Sequence, residues 1–173
     1  KAASYAIGKY LKYLDSDDIM YPNCLSVMVN AMEKFPDAAY GLSSIGQANC
    51  PYPICISPKE TYLQHFNGFG HFDRAPGSAI IKRDIFEKEG GFIVPKYAGD
   101  TELWFRLAQR HDLVLFQRDL VWDRCHTETE SNYEKKDNGI DILRKKIVIE
   151  MLNSPFCPLE AQEIQSIQSI KKA

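Results

Sequence analysis

Three carboxylates stand within four residues near the start of the chain, at Asp15, Asp17 and Asp18. They follow the stretch 10–14, whose aromatic and aliphatic residues predict a strand. Carboxylates this close repel one another, and a divalent cation with oxygen ligands, such as Mg²⁺ or Mn²⁺, would relieve the repulsion and could bridge them to a diphosphate. Because side chains alternate along a strand, Asp15 and Asp17 are expected to face one side, and Asp18 is expected to cap the next helix. The alternative is that all three are solvated turn and cap residues.

Asp100 is a second candidate for chemistry, because it follows a glycine-containing loop and opens a predicted helix. The N-terminus of a helix favours negative charge. One interpretation is that Asp100 only caps this helix, with Leu103 and Trp104 in the core. The other is that Asp100 acts as a general base, which requires an ionised carboxylate within hydrogen-bond reach of an acceptor hydroxyl.

Residues 43–77 are rich in Gly, Pro, Ser and Asn and show no helical or strand periodicity. Long irregular segments inside compact domains usually serve a function, so we predict a binding loop here. Asp73 and Arg74 can hydrogen-bond hydroxyl groups, and the aromatic side chains offer flat surfaces on which the ring of a bound molecule can stack. These aromatic residues are Tyr52, Tyr62, His65, Phe66, Phe69, His71 and Phe72. They could instead anchor a loop that covers the core.

The elements that must position these residues alternate between strand and helix. A helix is predicted at 22–35, because apolar residues recur at helical spacing and the residue before Pro36 is pushed out of helical geometry. Further strands are predicted at 38–42, 78–81, 113–116 and 120–122, and further helices at 83–89, 100–108, 140–151 and 159–170. Gly90 and Gly91 end the short helix at 83–89. Interleaved strands and helices favour a layered α/β fold.

Composition excludes several classes of function. The 173 residues suit one domain, and 21 basic against 23 acidic side chains leave a formal net charge of −2. That balance provides no global field for nucleic acid. No stretch reaches the roughly 18 apolar residues of a membrane span. The five cysteines are scattered and odd in number, which argues against a disulfide framework and for a reducing compartment.

Four sequence blocks, in order, resemble those of family 2 glycosyltransferases, the GT-A enzymes that transfer a sugar from a nucleotide diphosphate. Residues 6–18, AIGKYLKYLDSDD, followed by Pro22, are similar to the family's Ala-x-Gly-Glu/Lys-Tyr stretch, strand and Leu-Asp-x-Asp-Asp. Residues 83–92, RDIFEKEGGF, are similar to its Arg-x-x-Phe-x-x-x-Gly-Gly-Phe block. Residues 99–107, GDTELWFRL, are similar to its Glu-Asp-x-Glu-Leu-Trp-x-Arg block. Residues 124–131 resemble its Arg-x-His-x-x-Ser element, with a longer spacing to the serine.

The resemblance implies a GT-A-like α/β fold with a mixed sheet flanked by helices, and it implies roles for individual residues. Asp15 and Asp17 match the DxD motif, whose carboxylates bind the metal and the ribose or sugar of the donor, and Asp18 matches the aspartate that follows. Asp100 matches the catalytic base of the inverting enzymes. His126 matches a residue near the donor diphosphate in some members. The implied cofactors are Mn²⁺ or Mg²⁺ and a UDP-, GDP- or dTDP-linked sugar.

The chain departs from the family pattern in two places. Gly99 stands where the family usually has a glutamate before the base, and no counterpart of the family's opening strands, which hold the nucleotide base, precedes residue 6. We therefore expect this chain to correspond to the C-terminal two-thirds of the catalytic domain, with those nucleotide-binding strands missing. Residues 1–135 would form a partial GT-A domain, and 136–173 a helical extension packed on it.

The implied function is inverting, metal-dependent transfer of a sugar to a hydroxyl of a carbohydrate or lipid-linked glycan, in surface polysaccharide or glycan synthesis. The expected location is cytoplasmic, with peripheral association at the inner face of the membrane. Two alternatives stay open at this point. One is a truncated or degenerate GT-A domain that binds carbohydrate or a partner without turnover. The other is a different GT-A-like nucleotide-sugar enzyme, such as a nucleotidyltransferase.

Overall fold

A computed structural model describes residues 2–44, 51–93, 98–124 and 138–170 of the chain. The described residues form strands β1 (Tyr10–Leu11), β2 (Ile19–Met20), β3 (Tyr40–Ser43), β4 (Ile54–Ile56), β5 (Ala79–Lys82), β6 (Leu113–Phe116) and β7 (Val121–Trp122). One mixed sheet has the order β1-β5-β3-β6-β4, in which β3 and β6 run parallel and the other neighbours antiparallel. β2 and β7 form a separate antiparallel ribbon.

The helices of the described ranges are α1 (Cys24–Lys34), α2 (Pro58–Gln64), α3 (Arg83–Lys88), α4 (Gly99–Ala108), α5 (Asn138–Leu152) and α6 (Ala161–Ile170). Every helix predicted from periodicity is present within a few residues. Gly90 and Gly91 follow α3 with φ of 83° and 63°, which confirms that they end it in the left-handed conformation. Across the described residues, no helix has both the length and the apolar composition that a membrane span requires.

The two central strands explain why the sheet has helices on both faces. Every residue of β3 and of β6 is buried, as expected of strands covered on two sides. Side chains of β6 alternate between two clusters: Leu113 and Leu115 pack with residues of α4, whereas Val114 and Phe116 pack with residues of α1. The result is a sheet between two helical layers.

The C-terminal helices add to the layer that contains α4. Ile147 of α5 and Ile167 of α6 are buried in the same apolar cluster as the α4 residues. Lys59 at the start of α2 forms ion pairs with Glu160 and Glu163 at 3.0 and 3.1 Å. These ion pairs attach the start of α6 to the start of α2.

The prediction of an irregular loop over 43–77 is wrong for its middle part, which forms β4 and α2. β4 is held by antiparallel pairing with β6. α2 begins with a capping box: the N–H of Glu60 donates to Oγ of Ser57, and the N–H of Ser57 donates to the Glu60 carboxylate over 3.0 Å. Ser57, Pro58 and Glu60 were a recognisable helix-start pattern in the sequence.

Gly41 lies at the centre of β3, where the sheet and α1 approach closely. A Cβ at this position would stand 2.8 Å from Cε1 of Phe116 and 3.1 Å from Sδ of Met32. Because these neighbours belong to a packed core, Gly41→Ala is expected to lower the free energy of unfolding by about 1–3 kcal/mol, as measured by urea denaturation. Gly8→Ala is the control, since a Cβ at Gly8 meets only an ordinary contact of 3.5 Å. Equal midpoints for Gly41→Ala and the parent chain would contradict this packing.

Candidate active site

The acidic turn, residues 15–18, connects β1 to β2. The N–H of Asp18 donates to the carbonyl of Asp15 over 3.2 Å, which closes the turn. β2 then pairs with β7, so the residues after β7 arrive beside the carboxylates. There the N–H of Arg124 donates to Oδ1 of Asp18 over 3.0 Å. Asp18 therefore ties the turn to the end of β7.

The prediction that Asp18 caps the following helix is wrong. α1 begins only at Cys24, with Asn23 in the cap position, and β2 lies between the acidic turn and this helix. Pro22 accordingly precedes the helix instead of being its first residue. The sequence could not show this, because β2 is held by β7 and the partner of Asp18 lies 106 residues away along the chain.

The acidic group is electrostatically crowded. Burial raises the pKa of Asp15, and the like charges of Asp18 and Asp17 raise it further. Asp123, directly after β7, belongs to the same group, because burial and the charge of Asp18 raise its pKa as well. Sequence reasoning missed Asp123. Asp123 directly follows a predicted strand, and an aspartate in that position is the same pattern that indicates a site at the acidic turn.

Lys12 partly offsets this negative charge. Its Nζ donates to the carbonyl of Tyr13 over 2.5 Å and to the carbonyl of Gly77. Burial lowers the pKa of Lys12, while nearby acidic residues, including Asp123 and Asp15, act in the opposite direction. The ammonium group of Lys12 therefore lies among these carboxylates and also links the segment before the acidic turn to the backbone just before β5.

The acidic turn supplies hard oxygen donors, the type that Mg²⁺ and Mn²⁺ prefer. Over the described ranges, no three His, Cys, Asp or Glu side chains form a group that could hold a metal ion by themselves.

Asp100 is the second residue of α4 and is half-buried. Its Oδ1 accepts a hydrogen bond from the N–H of Thr101 over 2.7 Å. A carboxylate in the first turn of a helix is stabilised by the amide groups and dipole of that turn. The prediction that Asp100 opens a helix is confirmed, and the side chain belongs to a regular helix.

Arg106 fixes the N-terminal half of α4. Its guanidinium pairs with Glu102 one turn earlier, with Nε to Oε1 at 2.7 Å, and both side chains are largely buried. The same group donates to the carbonyls of Glu89 and Gly91. Arg106 therefore clamps α4 to the turn after α3, and its role is structural.

Arg74 connects the parts of the site. Its Nη2 donates to Oγ of Ser43 over 3.0 Å, and its carbonyl accepts from the indole N–H of Trp104 over 2.7 Å. Burial lowers its pKa, which the charge of Asp123 opposes. Its Nε is buried and finds no acceptor among the described residues. A buried donor of this kind is available to a ligand.

Two cavities lie on either side of the peptide that joins Asp73 to Arg74. The polar cavity, of about 260 Å³, is lined by Arg74, the acidic Asp123 and serines at the end of β3. The apolar cavity, of about 680 Å³, is lined by Asp73, by Thr101 of α4, and by residues of α5 and α6. Asp73 and Arg74, which are consecutive in one loop, thus line two different cavities.

The seven aromatic residues predicted to stack on a ligand divide into three sets: three are buried, two line the apolar cavity, and Tyr52 and Phe69 line neither of the two cavities. Tyr62, His71 and Phe72 are buried in the core at 0, 3 and 0% exposure, so for them the anchoring alternative is correct. Burial lowers the pKa of His71 to about 4. His65 and Phe66 line the apolar cavity.

Asp15, Asp17 and Asp18 lie in one turn, where the charges of Asp17 and Asp18 act on Asp15, and Asp123 joins this group. Asp100 lies on a separate element, connected to this group through Trp104, Arg74 and Asp123. His126, the predicted contact of the diphosphate, lies outside the described residues.

Comparison with known proteins identifies relatives of this sequence and fold. The chain is 24% identical over 135 residues to an uncharacterized glycosyltransferase of Rickettsia prowazekii (strain Madrid E), covering 72% of this chain and 42% of that protein. The crystal structure of S. aureus TarS matches 98% of this chain with a TM-score of 0.61 at 13% identity, over 29% of its own length. A structure of S. aureus TarS 1–349 matches with a TM-score of 0.59 at 14% identity, covering 96% of this chain and 46% of that one.

These structures share the fold, which confirms the expected GT-A-like arrangement of a mixed sheet flanked by helices. This chain spans less than half the length of each of these relatives. The family model described as Glycosyl transferase family 2 matches residues 1–90, more than half of the sequence. It covers the acidic turn, the central strand β3, and Arg74 with its loop. The chain belongs to glycosyl transferase family 2.

Proposed function

We propose that this chain forms the metal-binding and acceptor-binding part of an inverting glycosyltransferase, which transfers a sugar from a nucleotide-diphosphate sugar to a hydroxyl group. The observation that supports this most directly is the separation of two carboxylate sites by the Asp73–Arg74 peptide. Asp123 of the crowded acidic group lines the polar cavity, whereas Thr101, the neighbour of the helix-start carboxylate Asp100, lines the apolar one. One site suits a cation with a diphosphate, and the other suits a base with an acceptor.

On the donor side, Asp15 and Asp17 would hold Mn²⁺ or Mg²⁺. A divalent ion held there would supply Lewis-acid stabilisation of the charge on a leaving diphosphate. Asp18 holds the turn in place through its bond to the backbone of Arg124. His126 remains a proposed neighbour of the diphosphate.

The polar cavity would receive the transferred sugar. It is lined by hydroxyl, guanidinium and carboxylate groups of both charges, including Ser43, Ser78, Arg118 and Asp123, and such a mixture suits a ring bearing several hydroxyls. Arg74 supplies the buried Nε–H that finds no acceptor among the described residues. A sugar oxygen would satisfy this donor, and an unsatisfied buried donor costs about 1–3 kcal/mol.

On the acceptor side, Asp100 would act as the base. The acceptor hydroxyl gives its proton to the Asp100 carboxylate as its oxygen bonds to C1 of the sugar. The bond between C1 and the diphosphate oxygen breaks on the opposite face, and the nucleoside diphosphate leaves with the electron pair. Attack opposite the leaving group inverts the configuration at C1. The hydrogen bond from the Thr101 N–H holds the carboxylate in position.

A cytoplasmic location fits this proposal. The described cysteines Cys24, Cys55 and Cys157 are free thiols, a state that reducing compartments maintain.

Asp17→Asn tests the donor side. Titration calorimetry with UDP-, GDP- and dTDP-sugars in Mn²⁺ should show the metal-dependent part of the affinity for the preferred donor falling at least about tenfold, because a charged oxygen ligand is lost. Ser16→Ala changes the same turn without removing a carboxylate and should bind as the parent chain does. Undiminished metal-dependent binding by Asp17→Asn would remove Asp17 from the metal site.

Asp100→Asn tests the base. The variant should bind the donor normally, while the rate of transfer falls by a factor of about 10²–10⁴, the usual contribution of general base catalysis. Asp84→Asn is the matched control, because Asp84 holds the same second position in α3 that Asp100 holds in α4. Transfer at the parent rate by Asp100→Asn would exclude this residue as the base.

Arg74→Lys tests the sugar contact, since lysine keeps the charge and loses the Nε–H. Affinity for the nucleotide-sugar should fall about tenfold, as expected for one hydrogen bond from a charged group, whereas affinity for the nucleoside diphosphate alone should not change. Arg110→Lys is the control, because the side chain of Arg110 is 42% exposed and does not line the polar cavity. Equal losses for both ligands would assign Arg74 to the diphosphate or to the fold.

A further inference from the structure

The loop between α2 and β5 begins with a single wide turn at His65–Phe69. Gly68 within this turn and Gly70 just after it have φ of 99° and 59°, and the chain reverses there. The loop forms one side of the apolar cavity, to which it contributes His65, Phe66, Gly68, Gly70 and Asp73. The contacts that hold this loop closed therefore also determine the shape of the cavity.

Two histidine side chains join the start of the loop to its end. His71 and Gln64 share a hydrogen bond of 3.0 Å between Nε2 and the amide oxygen, in which the ring donates because an amide oxygen only accepts. The ring of His65 has the opposite role, since its Nδ1 accepts a hydrogen bond from the backbone N–H of Phe72 over 3.2 Å. One histidine thus closes the loop as a donor and the other as an acceptor.

Only the accepting histidine is sensitive to protonation. A ring nitrogen accepts a hydrogen bond when it carries no proton, and both nitrogens of an imidazolium are donors. Protonation of His65 would place an Nδ1–H against the N–H of Phe72, so two donors would face each other and the bond would be lost. The bond of His71 tolerates protonation, because its Nε2 donates in either state. Burial also lowers the pKa of His71 to about 4.

Aromatic packing fixes the orientation of the His65 ring. Its centroid lies 4.5 Å from that of Phe72, 5.0 Å from that of Phe66 and 5.2 Å from that of Phe105. A ring that is packed against three neighbours cannot turn its Nδ1 away from the Phe72 N–H without disturbing these contacts. The loop must therefore move if the two donors are to separate.

The charges around the cavity do not by themselves favour a protonated ring. Among the described residues that line the cavity with His65, Asp73 of the loop is acidic, and Arg144 and Lys145 of α5 are basic. The lining side chains from α4 and α6 are uncharged. Two basic groups against one acidic group disfavour a further positive charge, which agrees with the accepting, neutral state of the ring.

We propose that the hydrogen bond between His65 and Phe72 is a protonation-sensitive lock, which holds the loop closed over the apolar cavity while His65 is neutral and releases it when the ring takes up a proton. This inference goes beyond the proposed function and does not depend on it. The bonded form is the neutral one, so the lock is at full strength above the ordinary imidazole range, about pH 6.5, and is lost as the pH falls through that range. Arg74, just after the loop, keeps its own bonds to Ser43 and Trp104 and should stay in place.

Hydrogen exchange of the Phe72 amide tests the lock in the full chain without any ligand. Exchange is measured by NMR at about pH 7.5 and about pH 5, on either side of the imidazole range, and corrected for the intrinsic effect of pH. The protection of the Phe72 amide should fall roughly tenfold at the lower pH, because this N–H loses its acceptor. The amide of Lys82, which donates to the carbonyl of Ala39 in the main sheet, should keep its protection. Unchanged protection of Phe72, or an equal loss at Lys82, would overturn the proposal.

His65→Asn identifies the titrating group. The Oδ1 of asparagine can accept a hydrogen bond where Nδ1 does and does not titrate, so the protection of Phe72 should be independent of pH in this variant. His111→Asn is the matched control, because His111 bonds to Glu89 at 2.9 Å outside this loop, and this variant should retain the pH dependence of the parent chain. A pH dependence that survives His65→Asn, or that disappears in His111→Asn as well, would contradict the lock.

The parent chain offers an independent measurement that requires no substitution. An NMR titration of the His65 ring gives the pH at which it takes up its proton, and this midpoint should coincide with the loss of protection at Phe72. Two separate midpoints would assign the loop opening to another group. Because neither measurement uses a donor or an acceptor, the outcome is independent of whether the chain transfers a sugar.

Discussion

The hydrogen bond from the indole of Trp104 to the carbonyl of Arg74 is the contact on which the site depends. Trp104 is fully buried, and its ring stacks parallel to that of Tyr40 on the central strand, with centroids 6.2 Å apart. A buried N–H without an acceptor is costly, so the loop carbonyl must stay in place. One bond of 2.7 Å thereby sets the distance between α4, which presents Asp100, and the loop peptide that divides the two cavities.

The charges around the polar cavity form a second constraint. Four carboxylates, at Asp15, Asp17, Asp18 and Asp123, lie near the half-buried cation Lys12, and their charges raise the pKa of Asp15 and oppose the lowering of the pKa of Lys12. Lys12 donates its hydrogen bonds to backbone carbonyls. Its positive charge therefore compensates the acidic group as a whole, without an ion pair to one particular carboxylate. This arrangement keeps carboxylate oxygens accessible to a cation while it limits the repulsion that the fold must tolerate.

The sequence predicted most elements because local pattern determines them. The continuous apolar stretch of β6, the periodic helices and the paired glycines after α3 all agree with the structure. The acidic turn and Asp100 were also recognisable, since carboxylates at strand ends and helix starts are local features. β4 and α2 are harder to predict, because the composition of residues 43–77 is typical of a loop. Only the capping pattern at Ser57 and Glu60 indicates that a helix begins there.

The rest of the site depends on contacts between distant parts of the chain. Asp123 joins the acidic group only because β2 pairs with β7, and Arg74 becomes central only because α4 offers a buried indole to its carbonyl. No spacing in the sequence encodes either contact. The burial of Tyr62 and Phe72 illustrates the same limit. Sequence pattern does not distinguish an aromatic side chain that packs in the core from one that lines a cavity, because tertiary contacts determine the difference.

The ribbon of β2 and β7 has a consequence for the order of events at the site. Each strand contributes two residues, and the ribbon is separate from the main sheet. Two-stranded units of this size are only marginally stable alone, and such units open at lower free energy than a central sheet. A ligand that contacts Asp18 and Asp123, which flank the ribbon, would stabilise the paired strands by mass action, whereas Asp100 on the clamped α4 needs no such ordering. In the proposed reaction, donor binding would therefore complete the acidic side of the site, with α4 as a rigid reference.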